Sequence, residues 1–95
     1  MLEALSSFVW DHQKELLNIQ KHGVDFMTAA KAFKDPCRKI YTDSKHSQNE
    51  QRFFCVGKAE DKILTVRFMY RDDKIRIIGA GYWRKGANYY DKEDR

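Results

Sequence analysis

Apolar residues in the first third of the chain follow a helical period. Phe8-Val9-Trp10 predicts a short strand, and Asp11 behind it is a residue type that caps helices. A helix is expected over residues 12–22, with Leu16, Leu17, Ile19 and Gln20 as a narrow apolar stripe and Gly23 ending it. Val24-Asp25-Phe26 opens a second helix, again with Asp at the cap. There Phe26, Ala29, Ala30 and Phe33 fall at i, i+3, i+4 and i+7, which predicts one buried face. Asp35-Pro36 stops it, because the backbone before a proline is biased toward extended geometry.

Beyond Pro36 the period changes to two. Residues 38–42 predict a strand, residues 42–49 a polar loop, and residues 51–56 a further strand closed by Gly57. Residues 63–71 alternate clearly: Leu64, Val66, Phe68 and Tyr70 point one way, toward the helices, and Thr65, Arg67, Met69 and Arg71 the other. Asp72-Asp73-Lys74 makes a hairpin turn, and residues 74–83 return antiparallel with Arg76, Ile78 and Tyr82 on one side and Ile75 and Ile77 opposite. A short helix is expected near the end, docked through Tyr89 or Tyr90. Helices first and strands afterwards imply an α+β fold. Its expected form is two helices on one face of an antiparallel sheet of about four strands, with the other face exposed and basic.

Composition narrows the class. With 95 residues the chain is expected to form a single domain, 1–95, with one small core, too short for a Rossmann cofactor domain or a barrel enzyme. Its 14% aromatic content is too high for a disordered chain. Apolar runs are far shorter than the roughly 20 residues that span a bilayer, and no apolar leader follows a basic start, so a soluble cytoplasmic protein is expected. Cys37 and Cys55 lack metal-knuckle spacing and read as small buried or half-buried apolar residues, and His12, His22 and His46 are scattered. No metal or cofactor is expected.

The distribution of charge says more than the net +4. Residues 62–86 hold seven basic side chains (Lys62, Arg67, Arg71, Lys74, Arg76, Arg84, Lys85) against two acids, and the rest of the chain is slightly acidic. Tyr70, Tyr82 and Trp83 are interleaved with them. Cations that meet phosphates beside rings that stack on bases suit single-stranded nucleic acid. A solvated sheet face with ordinary cross-strand aromatics has the same composition.

Several segments, in order over residues 8–90, resemble the BrnT family, the ribonuclease half of BrnT-BrnA toxin-antitoxin modules. They are Trp10-Asp11 with Lys14 and Asn18, then Lys21-His22-Gly23-Val24, Phe26, Ala29 and Phe33. Asp35-Pro36, the loop ending in His46, Glu50-Gln51-Arg52, Gly57 and Ile75-Arg76-Ile77-Ile78 follow. The resemblance implies a fold similar to RelE-type toxins, metal-independent RNA cleavage that stops translation and growth, and inhibition by a BrnA-like antitoxin. That antitoxin dimerises through a ribbon-helix-helix domain, giving a heterotetramer that meets operator DNA only through the antitoxin. One departure stands out: many members of the family continue Ile-Arg-Ile-Ile with Ser-Ala-Arg and later a Glu, whereas this chain has Gly79-Ala80-Gly81, so the arginine that the resemblance implies at position 81 is missing. Arg84 or Lys85 is a nearby substitute. The alternative is a binding module that has lost cleavage and acts with its antitoxin on DNA.

Cleavage of this kind needs the 2′-hydroxyl to lose a proton and attack the adjacent phosphate, and cations fixed around that phosphate contribute most. Guanidinium stays charged and presents a planar fork to two oxygens. Arg52 and Arg76, each inside a matching segment, lead the catalytic candidates, followed by Arg71. Glu50 shares a strand face with Arg52, as acceptor of the 2′-hydroxyl proton or, in preference, to orient Arg52. His22 is of the residue type that suits proton transfer, but just before Gly23 a structural, helix-capping role is preferred. His46 is expected to be a surface side chain. Arg67, Lys74, Tyr82, Trp83, Arg84 and Lys85 are the candidate RNA-binding residues.

Overall fold

A computed structural model describes residues 7–92. Strand β1 (Phe8–Trp10) leads into helix α1 (His12–His22) and helix α2 (Phe26–Lys31), which tightens into a 3₁₀ turn, Ala32–Lys34. Then come β2 (Lys39–Thr42), a 3₁₀ turn (Ser44–His46), β3 (Phe53–Ala59), β4 (Lys62–Arg71), β5 (Lys74–Gly81) and helix α3 (Arg84–Lys92). Both helix starts follow from their caps. The Asp11 carboxylate accepts from the Gln13 and Lys14 N–H groups, and Asp25 accepts from Thr28 N–H at 2.7 Å. Gly23 ends α1 in the left-handed region at φ 71°.

The class is α+β, and the sheet is mixed, with five strands in the order β1-β5-β4-β3-β2. The added strand is β1, which pairs parallel to β5 through Phe8↔Ile75, Val9↔Arg76 and Trp10↔Ile77. Such pairing across more than sixty residues leaves no local signal in a three-residue run. Gly57 does not close β3, which continues to Ala59. Both long hairpins turn on two residues, Glu60-Asp61 and Asp72-Asp73, all four at positive φ as the mirror-image hairpin turn requires.

One face of the sheet carries Cys55, Leu64, Val66, Phe68 and Ile77, all fully buried against Phe26, Ala29, Ala30 and Ala32 of α2 and its 3₁₀ extension. Tyr70 continues that row but lies half exposed, beyond the reach of α2. The opposite face is not bare. Helix α3 crosses it so closely that a Cβ on Gly86 would meet Thr65 Oγ1, and Thr65, Val56 and Met69 are buried there. Tyr89 packs on Tyr41, ring centroids 4.5 Å apart, and the Tyr90 hydroxyl donates to Asp35 Oδ2 at 2.6 Å, so both expected anchors dock.

Asp35 is more than a helix stop, since it also accepts from Lys58 N–H and Cys37 N–H. Burial pulls its carboxyl upward, yet the bonds from Tyr90, Lys58 and Cys37 outweigh this and hold it below the usual carboxylate range. Cys37 is exposed, not half-buried as expected, whereas Cys55 is buried and its thiol is pushed up to about 12.

Helix α1 corrects another expectation. Its apolar residues Leu16, Leu17 and Ile19 stay exposed, and its one buried residue is Asn18. Where β1 ends, the edge of β5 is left open, and the Asn18 amide takes the place of the missing strand. Its Nδ2 donates to Ala80 O and Val24 O at 2.9 Å, and its Oδ1 accepts from Ala80 N–H at 3.1 Å. This satisfies backbone groups that burial would otherwise leave unpaired. No helix among the described residues is long and apolar enough to cross a membrane.

Candidate functional site

The α3-covered face continues past Thr65 into a basic surface. Arg67 sits opposite Gly79 on one side and Phe54 on the other. Two residues along β4, Met69 faces Arg76, and Arg52, just before β3, follows the alternation that places Phe54 on this face. At the hairpin end Arg71 pairs with Lys74 in the ladder, so four arginines and Lys74 share the face.

Glu50 joins them from the preceding loop. It does not orient Arg52, as expected. Instead it takes a two-pronged bond from Arg71, Nη2 to Oε1 at 2.7 Å and Nε to Oε2 at 3.3 Å. Hydrogen bonding from Arg71 holds the Glu50 carboxyl low, and the charges of Arg71, Arg52 and Arg76 act in the same direction. A carboxylate held in that state is a weak base and a good positioning group. Arg52, Arg67 and Arg76 form no ion pair among the described residues, and Arg52 Nε is enclosed without a hydrogen-bond partner.

His46 is a surface side chain as expected, 52% exposed, but it is anchored. Its Nδ1 lies 2.9 Å from Oδ2 of Asp43, whose side chain is 5% exposed. Asp43 is fixed in turn through its backbone, its N–H donating to Arg52 O at 2.8 Å. His46, Glu50 and Arg52 line one open hollow of about 380 Å³. The D-x-x-H spacing of Asp43 and His46 was the signal available in the sequence; in a polar loop it predicts nothing without the contact.

His22 is not brought to this hollow. It stands at the end of α1 with its ring edge-on to Trp83, centroids 5.2 Å apart and planes at 74°. Both line a second groove, of about 240 Å³, with Arg67, Lys14 and Lys21. The two lysines belong to the matching segments but not to the candidate RNA-binding residues, although a spacing of seven puts them on one side of α1.

The remaining RNA-binding candidates divide. Trp83 and Lys85 also line a hollow of about 330 Å³ with Tyr41, Phe54 and Thr65, and Arg84 is exposed on the first turn of α3. Tyr82 is displaced. The register slips at Arg67/Phe68, leaving Ile78 without a partner, so alternation after it puts Gly79 and Gly81 on the arginine face and turns Tyr82 away. Tyr82 is instead within 5.3 Å of the Lys62 ammonium. A larger hollow of about 630 Å³, containing Phe8, Phe33 and Tyr70, lies on the helix-covered side and holds no cluster of cations comparable to the arginine face.

The position of the missing arginine is occupied in another way. A Cβ on Gly81 would fall 2.7 Å from Cζ2 and 2.9 Å from Cη2 of Trp83, so the indole lies where a side chain at 81 would start.

Comparison with family models matches residues 10–86 to one family, described as ribonuclease toxin, BrnT, of type II toxin-antitoxin system. No curated protein matches the chain.

Proposed function

The chain belongs to the BrnT family of ribonuclease toxins of type II toxin-antitoxin systems, and from that premise we propose that it cleaves RNA without a metal ion, on the arginine face of its sheet. The observation that carries this reading is the set Arg52, Arg67 and Arg76, three guanidiniums from just before β3, from β4 and from β5 that share one face and form no ion pair among the described residues. Cations grouped in this way suit a phosphate whose negative charge grows during reaction. Arg71, turned by Glu50, completes the set from the hairpin end.

Proton removal is assigned to His46. With Nδ1–H directed at Asp43, the neutral ring keeps Nε2 as its basic nitrogen, and the hollow it shares with Arg52 gives an RNA 2′-hydroxyl access. The 2′-oxygen then bonds to phosphorus as the bond to the 5′-oxygen breaks and that leaving oxygen takes a proton from water, leaving a 2′,3′-cyclic phosphate on one fragment and a 5′-hydroxyl on the other, with the 2′-proton on His46. Arg67, Lys74, Trp83, Arg84 and Lys85 bind flanking RNA. Glu50 positions Arg71, and His22 contributes to binding. Control falls to a BrnA-like ribbon-helix-helix antitoxin in a complex of two toxins and two antitoxins. The exposed Leu16, Ile19 and Met27 offer that partner apolar surface.

One observation favours a second reading, a toxin fold that binds its antitoxin but does not cut: Gly81 cannot be exchanged for arginine without moving Trp83. Expression from a tight inducible promoter separates the two. Growth arrest with fragmented RNA, abolished by Arg52→Ala and by Arg76→Ala, supports the nuclease. Intact RNA and undisturbed growth support the binding module.

A further inference from the structure

The groove beside α1 adds Lys14 and Lys21 to Arg67, His22 and Trp83, and its construction points to a more definite role than general RNA binding. Gly81 has no backbone requirement for glycine, since its φ is not in the left-handed region, so the missing side chain serves to admit the Trp83 ring. Pressed onto that backbone and met edge-on by His22, the indole is held at a fixed angle while 37% of Trp83 stays exposed. It forms a ridge between two hollows. One holds Lys14, Lys21 and Arg67 and has no acidic lining residue; the other holds Tyr41, Phe54 and Lys85. A flat, fixed, exposed ring with three cations along one side matches a base and its phosphates.

We propose that Trp83, seated on Gly81 and braced by His22, is a stacking platform for one base of single-stranded RNA, with Lys14, Lys21 and Arg67 holding the adjoining phosphates. The inference rests on the nuclease reading for its ligand class and adds the subsite that positions a base next to the arginine face. The fixed indole then favours substrates with a base at that position over those without one.

The test uses the full chain with Trp10→Phe, which leaves Trp83 as its single tryptophan, its fold checked by circular dichroism. It is titrated with a short single-stranded RNA fully 2′-O-methylated against cleavage, and with an abasic oligomer of equal length and charge. Saturable quenching of Trp83 emission by the first and binding of the second without quenching is the expected result. Removing the ring (Trp83→Ala, read by anisotropy of labelled RNA) weakens binding about ten- to a hundredfold. Lys14→Gln with Lys21→Gln, both exposed changes, lowers affinity and flattens its salt dependence. Equal quenching by both oligomers, or unchanged affinity after Trp83→Ala, overturns the platform. Cleavage assayed in parallel on unmodified RNA keeps the readings apart. Stacking without cleavage retains the platform and removes the nuclease assignment, whereas cleavage indifferent to Trp83→Ala does the reverse.

Discussion

Replacing Asn18 with alanine removes the hydrogen bonds that join α1 to β5. Three hydrogen bonds are lost, to Val24 O, Ala80 O and Ala80 N–H, at a residue only 8% exposed. Each such bond contributes about 1 kcal/mol net, and a buried group left unpaired costs about 1–3 kcal/mol. Water entering the vacated space at the sheet edge recovers part of this, so the expected loss is about 3 kcal/mol. Against a total of about 5–15 kcal/mol for an ordinary domain that is a large share. At this size each kcal/mol moves the melting temperature by about 4–8 °C, so Tm drops by about 12–24 °C. Urea unfolding followed by circular dichroism measures the change directly, with the m-value unaltered if only stability moves. Asn18→Asp sharpens the test. It keeps the acceptor for Ala80 N–H but turns a carboxylate oxygen toward two carbonyls, so the folded state prefers the protonated acid. Its deficit therefore shrinks as pH falls. If Asn18→Ala stays within about 0.5 kcal/mol of wild type, the amide is not the brace described, and the placement of Lys14 and Lys21 beside the arginine face needs another cause.

Three further outcomes follow from the same geometry. Tyr90→Phe removes the hydroxyl bond to Asp35 and costs about 1 kcal/mol. Because that bond helps hold the Asp35 pKa below its unfolded value, the stabilisation is present above about pH 4 and lost as pH falls through the folded pKa, so the variant unfolds at a higher pH in an acid titration. Asp73→Gly gives the Asp72 turn the glycine its positive φ favours and raises stability by about 0.5–1 kcal/mol in chemical denaturation; a loss instead would mean that the Asp73 side chain has a role. A thiol reagent modifies one cysteine, Cys37, in the native protein and the second only after unfolding, since Cys55 is buried with its thiol pushed up to about 12.

Local rules account for what the sequence disclosed. Asp11, Asp25 and Gly23 mark helix ends through contacts within three or four residues, and the alternation of residues 63–71 reports a two-faced strand. Legibility failed where a distant partner decides. The parallel pairing of β1, the bulge at Ile78 and the brace from Asn18 each depend on residues more than sixty positions away or on a register slip between strands. Leu16, Leu17 and Ile19 satisfied a helical stripe yet lie in solvent, because α1 sits at the sheet edge, tied by Asn18 to β5 and by Glu15 to Trp10 of β1, rather than lying across the core. At the candidate site the arginines were legible as types. Their grouping was not, and neither was the choice of Glu50 for Arg71 over Arg52, since that depends on how the loop before β3 folds back.

Attack by the RNA 2′-hydroxyl, promoted by the arginine face without a metal ion, is what we propose for this chain. Single-turnover cleavage of an end-labelled RNA in excess EDTA, with chemical identification of the new ends, tests it most directly. The expected result is 2′,3′-cyclic phosphate and 5′-hydroxyl ends, a rate unaffected by the chelator, and a loss of about 10²-fold or more in both Arg52→Ala and Arg76→Ala. Cleavage that stops in EDTA, or that leaves 3′-hydroxyl and 5′-phosphate ends, would contradict it.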